Sequence, residues 1–174
     1  MLLPRKQAFR FINSYKAVLL RVLANTGTAS TGSINRDLCN ARAKVNEDRS
    51  LLDTALADLA REGSPLETDV VAAIRSVKLG RWIYLKQNKT HAVFLDQAVS
   101  KAYAVKALTT PLTELLDGAP VAIETGLFEY EGAFVCDGLV LRPVGIGPGL
   151  RAQLREDFNR LRQSGHFLMR PASA

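Results

Sequence analysis

The chain has 174 residues, of which 47% are hydrophobic and 23% are charged, and it carries a formal net charge of +6. This balance excludes a disordered chain, and no stretch reaches the ~18 apolar residues that a membrane-spanning helix needs. The two cysteines and two histidines lack metal-ligand spacing, so we expect neither a metal centre nor a cofactor. The first ten residues lack the apolar core of a signal peptide, which predicts a cytoplasmic protein.

Basic residues are concentrated near the two ends of the chain. Residues 1–49 contain nine lysines and arginines against three acids, whereas residues 110–144 contain six acids against one arginine. Residues 145–174 are basic again, with five against two. These segments either dock on one another within the domain or present a basic face to nucleic acid, another polyanion or an acidic protein.

Helical periodicity dominates the first 80 residues. Residues 5–24 predict an amphipathic helix, because their apolar side chains recur every three or four positions. A later helix is predicted to begin at Pro65, since Ser64 and Glu67 have the chemistry of a capping box around a proline in the first helical position. The N-terminal region therefore predicts a set of helices that share one buried core.

A heptad-like pattern occupies residues 34–59. Apolar residues recur there in alternating steps of four and three, with a charged break at Asp48. The pattern fits either one long helix or two helices interrupted near residues 46–50, and we favour the interruption. Its apolar seam either packs against the first helix or joins two copies of the chain in a homodimer, and we favour packing within the chain.

From Arg81 onwards the hydrophobic period changes to two. Three short runs predict an antiparallel meander and two more predict a hairpin around Glu131-Gly132; the runs are 82–87, 91–96, 101–108, 121–130 and 133–144. A last helix over 148–163 closes the chain. We therefore predict an α+β fold in which N-terminal helices pack on one face of a five-stranded antiparallel sheet. One domain spans 1–174, with a helical subregion at 1–80 and the sheet and C-terminal helix at 81–174.

Aromatic side chains alternate with lysines on the predicted strands. The aromatic residues are Trp82, Tyr84, Phe94 and Tyr103, and the lysines are Lys86, Lys89, Lys101 and Lys106. Such a pattern is typical of a sheet that stacks bases and contacts phosphates, or of a sheet whose aromatic residues form the core. We favour the core.

Two carboxylates of the predicted hairpin are the candidate catalytic residues. A two-residue turn at Glu131-Gly132 pairs Gly126 with Asp137 and places Glu124 on the same face, about 7–8 Å from Asp137. Glycine at position 126 would leave room for a ligand, and two such carboxylates can hold a divalent cation for phosphoester hydrolysis. A slip of one residue would separate them, and we favour a structural use of both acids.

A glycine-rich connection, residues 145–151, joins the last predicted strand to the last helix. Bare backbone N–H groups, the positive helix end and an arginine can together hold an anion, which makes Gly147, Gly149, Arg151 and Arg155 the candidate ligand-binding residues. The alternative is a structural turn in which the glycines adopt positive φ angles, and we favour that alternative. The connection lacks the features of a dinucleotide fingerprint or a Walker loop.

The same region carries a resemblance. The chain has a hydrophobic strand followed by Asp137-Gly138-Leu139, Gly147-Pro148-Gly149 and Arg151, with Leu154 and Phe158 in the last helix. This order resembles the C-terminal signature of a group of uncharacterised bacterial proteins. The likeness covers roughly the second half of the chain. It implies a small bacterial α+β protein and carries no activity or catalytic residue with it.

These observations predict a non-enzymatic interaction or regulatory protein whose basic surface receives an anionic ligand or an acidic partner. The alternative is a metal-dependent hydrolase that acts on a phosphate-containing substrate through Glu124 and Asp137. No recognisable catalytic motif accompanies the two acids, which favours the first hypothesis.

Overall fold

The structure, a computed structural model, describes residues 2–116 and 118–172 and begins with four helices. Their bounds are α1 Arg5–Asn25, α2 Ile34–Glu47, α3 Ser50–Arg61 and α4 Thr68–Arg75. The predicted first helix is confirmed. The start predicted for the fourth helix at Pro65 is wrong, because the chain is still extended at Glu67, where ψ is 142°.

The predicted interruption of the 34–59 pattern is confirmed. Helix α2 ends at Glu47, and the Asp48 carboxylate accepts hydrogen bonds from the Ser50 backbone N–H (2.9 Å) and hydroxyl (2.7 Å) at the start of α3. Such a bond gives one of the unpaired N–H groups of the new helix an acceptor. The apolar seam is buried against α1 in the helical core, through Leu38, Ala41, Val45, Leu52, Ala55 and Leu59.

The described residues of the second half form seven strands and two helices. In chain order they are β1 Lys78–Gln87, β2 Ala92–Asp96, β3 Ala102–Lys106, α5 Leu112–Leu115, β4 Val121–Tyr130, β5 Ala133–Cys136, β6 Leu141–Gly145, α6 Pro148–Gln163 and β7 Phe167–Leu168. Among the described residues, no helix combines the length and apolar character that crossing a bilayer requires. The α+β class is confirmed.

The predicted five-stranded antiparallel sheet is wrong, because the strands form one mixed seven-stranded sheet. The meander β1-β2-β3 and the hairpin β4–β5 are antiparallel, as expected. However, β5 and β7 both run parallel to β3 and lie one after the other along the same edge of that strand. Sequence periodicity of two indicates strands but not which strands become neighbours, so the parallel contacts gave no local signal.

Strand β1 closes the sheet into a barrel. Residues 82–87 of β1 pair with β2, and residues 78–84 pair with β4 along the opposite edge. The ring therefore runs β1-β2-β3-β5-β4 and returns to β1, a five-stranded Greek-key barrel of the kind found in OB-folds. Strand β6 lies outside this ring and pairs with the first residues of β4, whereas β5 pairs with its last residues.

The barrel separates three apolar clusters. Its interior contains Tyr84 and Phe94, with Trp82 and Tyr103 half-buried against that cluster. The aromatic residues therefore belong to a core, as predicted, but to the barrel interior and not to a face packed against the N-terminal helices. The N-terminal helices pack outside β4 and β5, where the Phe11 ring stacks on Phe128 with centroids 4.0 Å apart. Helix α6 covers the outer face of β1 and β2, with Phe158 and Leu154 beside Val93 and the rest of a third cluster. Helices thus cover two faces of the barrel, not the single face that was predicted.

Candidate functional site

The two candidate carboxylates lie on the β4–β5–β6 hairpin. As predicted, Asp137 is opposite Gly126, and its N–H donates to the Gly126 carbonyl at 3.0 Å. Beyond Asp137 the chain leaves the ladder, and Glu124 pairs with Leu141 instead of residue 139. Gly138 in this break has a φ of 76°, a conformation that favours glycine. The break therefore adds two residues to the outer arm and turns the Asp137 carboxylate toward the helices.

Asp137 forms a buried ion pair with Arg42 of α2. The Arg42 Nη1 atom donates to Oδ1 at 2.9 Å and to Oδ2 at 2.7 Å, and both side chains are buried. Burial raises the pKa of the Asp137 carboxyl group, and the guanidinium and the other donors oppose that rise. The Oδ1 atom also accepts from the Thr125 hydroxyl (3.0 Å) and the Leu139 N–H (3.0 Å).

These contacts determine what the carboxylate can do. The lone pairs that would bind a divalent cation are occupied by the Arg42 guanidinium and by backbone and hydroxyl donors. Glu124 is separate from this network and lies 3.6 Å from the Arg142 guanidinium. Within the described part of the chain, no group of three histidine, cysteine or acidic side chains could hold a metal ion. Asp137 therefore ties α2 to the hairpin.

Arg42 was missed by the sequence interpretation. It follows Ala41 and lies four residues after Leu38, so it occupies the edge of the apolar seam rather than the solvent side of α2. A charged residue at a buried helical position indicates a partner of opposite charge, because unpaired charges are rarely buried. That signal was present in the sequence, although the identity of the partner, 95 residues away, was not.

The glycine-rich connection leads from β6 into α6 without unusual backbone geometry. Gly147 has a φ of −66°, and a Cβ atom at Gly145, Gly147 or Gly149 would meet no atom within 4 Å. The expectation of positive φ angles at these glycines is therefore wrong. The Arg151 Nη2 atom donates to the Ile146 carbonyl at 3.2 Å, so this arginine binds its own connection. Arg155 lies one turn further along and is exposed.

A concave site that was not predicted lies where three segments meet. The β1–β2 turn, the β4–β5 turn and the segment after β7 surround a cavity of about 210 Å³. We call it the cationic pocket; its lining residues are Thr90, His91, Ala104, Lys106, Gly132, Ala133, Met169 and Arg170. None of these residues is acidic, and two of them, Lys106 and Arg170, are basic. Lys106 belonged to the predicted set of lysines, but nothing in the sequence placed it beside His91 and Arg170.

Local contacts hold the His91 imidazole at the side of the cationic pocket. Its Nδ1 atom lies 2.9 Å from the Thr90 hydroxyl, and Nε2 lies 3.0 Å from the Asn88 side-chain amide. Burial, and the nearby positive charge of Lys86, lower the pKa of His91. The one acid of the β4–β5 turn, Glu131, lies 3.5 Å from Arg10 on the helical side of the molecule. The pocket therefore offers hydrogen-bonding groups and a net positive charge.

Comparisons with known proteins add no relatives: no family model, no curated protein and no solved structure matches the chain. The likeness to OB-folds is therefore one of strand topology alone. The suggested relation to a group of bacterial proteins through Asp137-Gly138-Leu139 and Gly147-Pro148-Gly149 stays a prediction.

Proposed function

We propose that this protein is a non-enzymatic binding protein that receives the phosphate groups of single-stranded nucleic acid in the cationic pocket. The observation that carries the proposal is the lining of that pocket, in which Lys106 and Arg170 lie beside His91 and no described carboxylate takes part. Such a cluster of basic side chains favours the binding of phosphate groups, because each phosphate that it neutralises releases condensed counterions from the nucleic acid.

The topology of the barrel also supports the cationic pocket as the binding site. In five-stranded Greek-key barrels of the OB type, oligonucleotides bind near the loops that follow the first and the fourth strands. Both of these loops line the cationic pocket here, through Thr90 and His91 in one and Gly132 in the other. This support is an analogy between folds, which by itself fixes no ligand.

Helix α6 limits how a strand of nucleic acid would bind. In OB-folds the face of the second and third strands binds oligonucleotides. Here Leu154, Phe158 and Leu161 of α6 pack against residues of β1, β2 and β3 on the outside of the barrel. The aromatic residues Tyr84 and Phe94 lie inside the barrel and offer no stacking surface. We therefore expect recognition through backbone phosphates, with little dependence on base sequence.

The proposal is tested by titrating the protein into a fluorescent oligothymidylate of about 15 nucleotides and recording anisotropy at ~50 mM salt. Lys106→Ala and Arg170→Ala should each weaken binding about fivefold, the equivalent of roughly 1 kcal/mol. Each should also reduce the slope of log affinity against log salt by about 0.7, the value for one phosphate contact on a single strand.

Arg36→Ala is the matched control, because Arg36 is an exposed arginine on α2. It removes one positive charge from the protein without altering the cationic pocket. Equal losses of affinity in Arg36→Ala and Arg170→Ala would contradict the proposed site and would indicate nonspecific attraction to the net charge. Binding of an acidic peptide but not of the oligonucleotide would support an acidic protein partner and contradict the nucleic-acid proposal.

A further inference from the structure

Arg42 uses only one of its three nitrogens in the ion pair with Asp137. All of its hydrogen bonds involve Nη1, which also donates to the Leu139 carbonyl at 2.7 Å. The side chain is only 2% exposed, so the Nε and Nη2 atoms are buried as well. Neither atom meets an acceptor among the described residues. Buried donors of a charged group rarely remain without an acceptor, because they have lost their hydration.

A small cavity lies beside this guanidinium. Its volume is about 10 Å³, the room that one water-sized particle needs. The polar residues that line it are Tyr15, Arg42, Asn46 and Arg49, and the other lining residues are apolar. Asp137 does not line the cavity. Because Nη1 lies in the guanidinium plane on the side opposite the Nε–Nη2 edge, that edge is turned away from Asp137.

The chemistry of the lining favours an anion. The Nε–H and Nη2–H groups form a fork of two parallel donors, which is the edge with which arginine binds anions. Burial raises the pKa of Tyr15 well above its ordinary value, so its hydroxyl group keeps its proton. Arg49 adds a second positive charge at the exposed end and donates through Nη2 to the Val77 carbonyl at 2.7 Å. No described carboxylate lines the cavity; Asp137, on the other side of the guanidinium, balances the charge of Arg42 but not that of Arg49.

We propose that this cavity binds one monatomic anion of halide size, chloride or bromide, on the Nε–Nη2 edge of Arg42. An anion accepts hydrogen bonds from every donor that faces it, whereas a water molecule would also have to donate two. A cavity this small favours a monatomic anion over the larger sulfate or phosphate. None of the described residues that line it also lines the cationic pocket, so this site is distinct from that pocket and independent of the proposed function.

The structural test is a crystal of the full chain soaked in sodium bromide, with diffraction data collected at the bromine absorption edge. We expect an anomalous peak within hydrogen-bonding distance of both Nε and Nη2. Electron density at that position without anomalous signal would identify a water molecule and overturn the proposal.

The solution test is chloride-35 NMR, in which binding to a protein broadens the resonance. Bromide should reverse the broadening, and sulfate at the same ionic strength should not. Tyr15→Phe and Asn46→Ala leave the Arg42–Asp137 pair intact and should each weaken chloride binding several-fold. Arg36→Ala, on the exposed side of α2, is the control and should leave it unchanged. Broadening that is absent in the parent protein, or that is identical in all variants, would overturn the proposal.

Discussion

At the scale of single residues, the contact between Gly126 and Asp137 limits which side chain position 126 can carry. The sequence suggested that glycine at this position leaves room for a ligand. In the structure the room is occupied by the Asp137 carboxylate itself. A Cβ atom on Gly126 would lie 2.3 Å from Asp137 Oδ2 and 2.9 Å from Val77 Cγ1. Glycine is therefore required here by the ion pair and not by a ligand.

The change Gly126→Ala should lower the free energy of unfolding by about 1–3 kcal/mol, the usual result of overpacking a buried site. Urea denaturation followed by circular dichroism measures it. Gly145→Ala is the matched control, because its Cβ meets nothing within 4 Å, and a shift below ~0.5 kcal/mol is expected. Equal stability of the two variants would show that Asp137 is not held against Gly126.

At the scale of secondary-structure elements, the Arg42–Asp137 pair joins α2 to the break between β5 and β6. Arg42 also donates to the Leu139 carbonyl, so a single side chain contacts both sides of the break. The pair links an element of the helical core to the barrel, across a sequence separation of 95 residues.

Arg42→Met should lower the free energy of unfolding by about 3–5 kcal/mol, because it leaves the Asp137 carboxylate buried without its countercharge. The double variant Arg42→Met with Asp137→Asn should recover much of that loss, since asparagine is neutral and keeps an acceptor for Thr125 and Leu139. Chemical denaturation of both variants measures the difference. No recovery in the double variant would mean that Arg42 stabilises the fold through packing alone.

Features of the fold and of the site could be predicted from the sequence where they depend on residues close together in the chain. The helices, the break near Asp48 and the pairing of Gly126 with Asp137 follow from short-range periodicity and turn chemistry. The two-residue break after Asp137 did not, because Asp-Gly is compatible with a regular strand, a bulge or a turn. The cationic pocket and the Arg42 ion pair join segments far apart in sequence, and a single chain gives no local indication of which segments meet.

At the scale of the whole molecule, the apolar seam of residues 34–59 is used inside the chain. Leu38, Val45 and Leu52 are buried against α1, so the surface that a helical zipper would need is already covered. We therefore expect a monomer of about 19 kDa in sedimentation equilibrium at micromolar concentration. A dimer that Leu52→Asp dissociates into a folded monomer would contradict this expectation, because a core residue of a monomer cannot become aspartate without unfolding it.

The order of the strands around the barrel also has a consequence for synthesis on the ribosome. Helices α1–α4 are made first, yet their apolar faces are completed by Phe128, Tyr130 and Val135. The ring itself cannot close until β4 and β5 are both available to β1 and β3. The chain must therefore have emerged as far as β5 before the helical core or the barrel interior can be completed. Until then the nascent helices expose apolar surface, the condition in which chains depend most on chaperones.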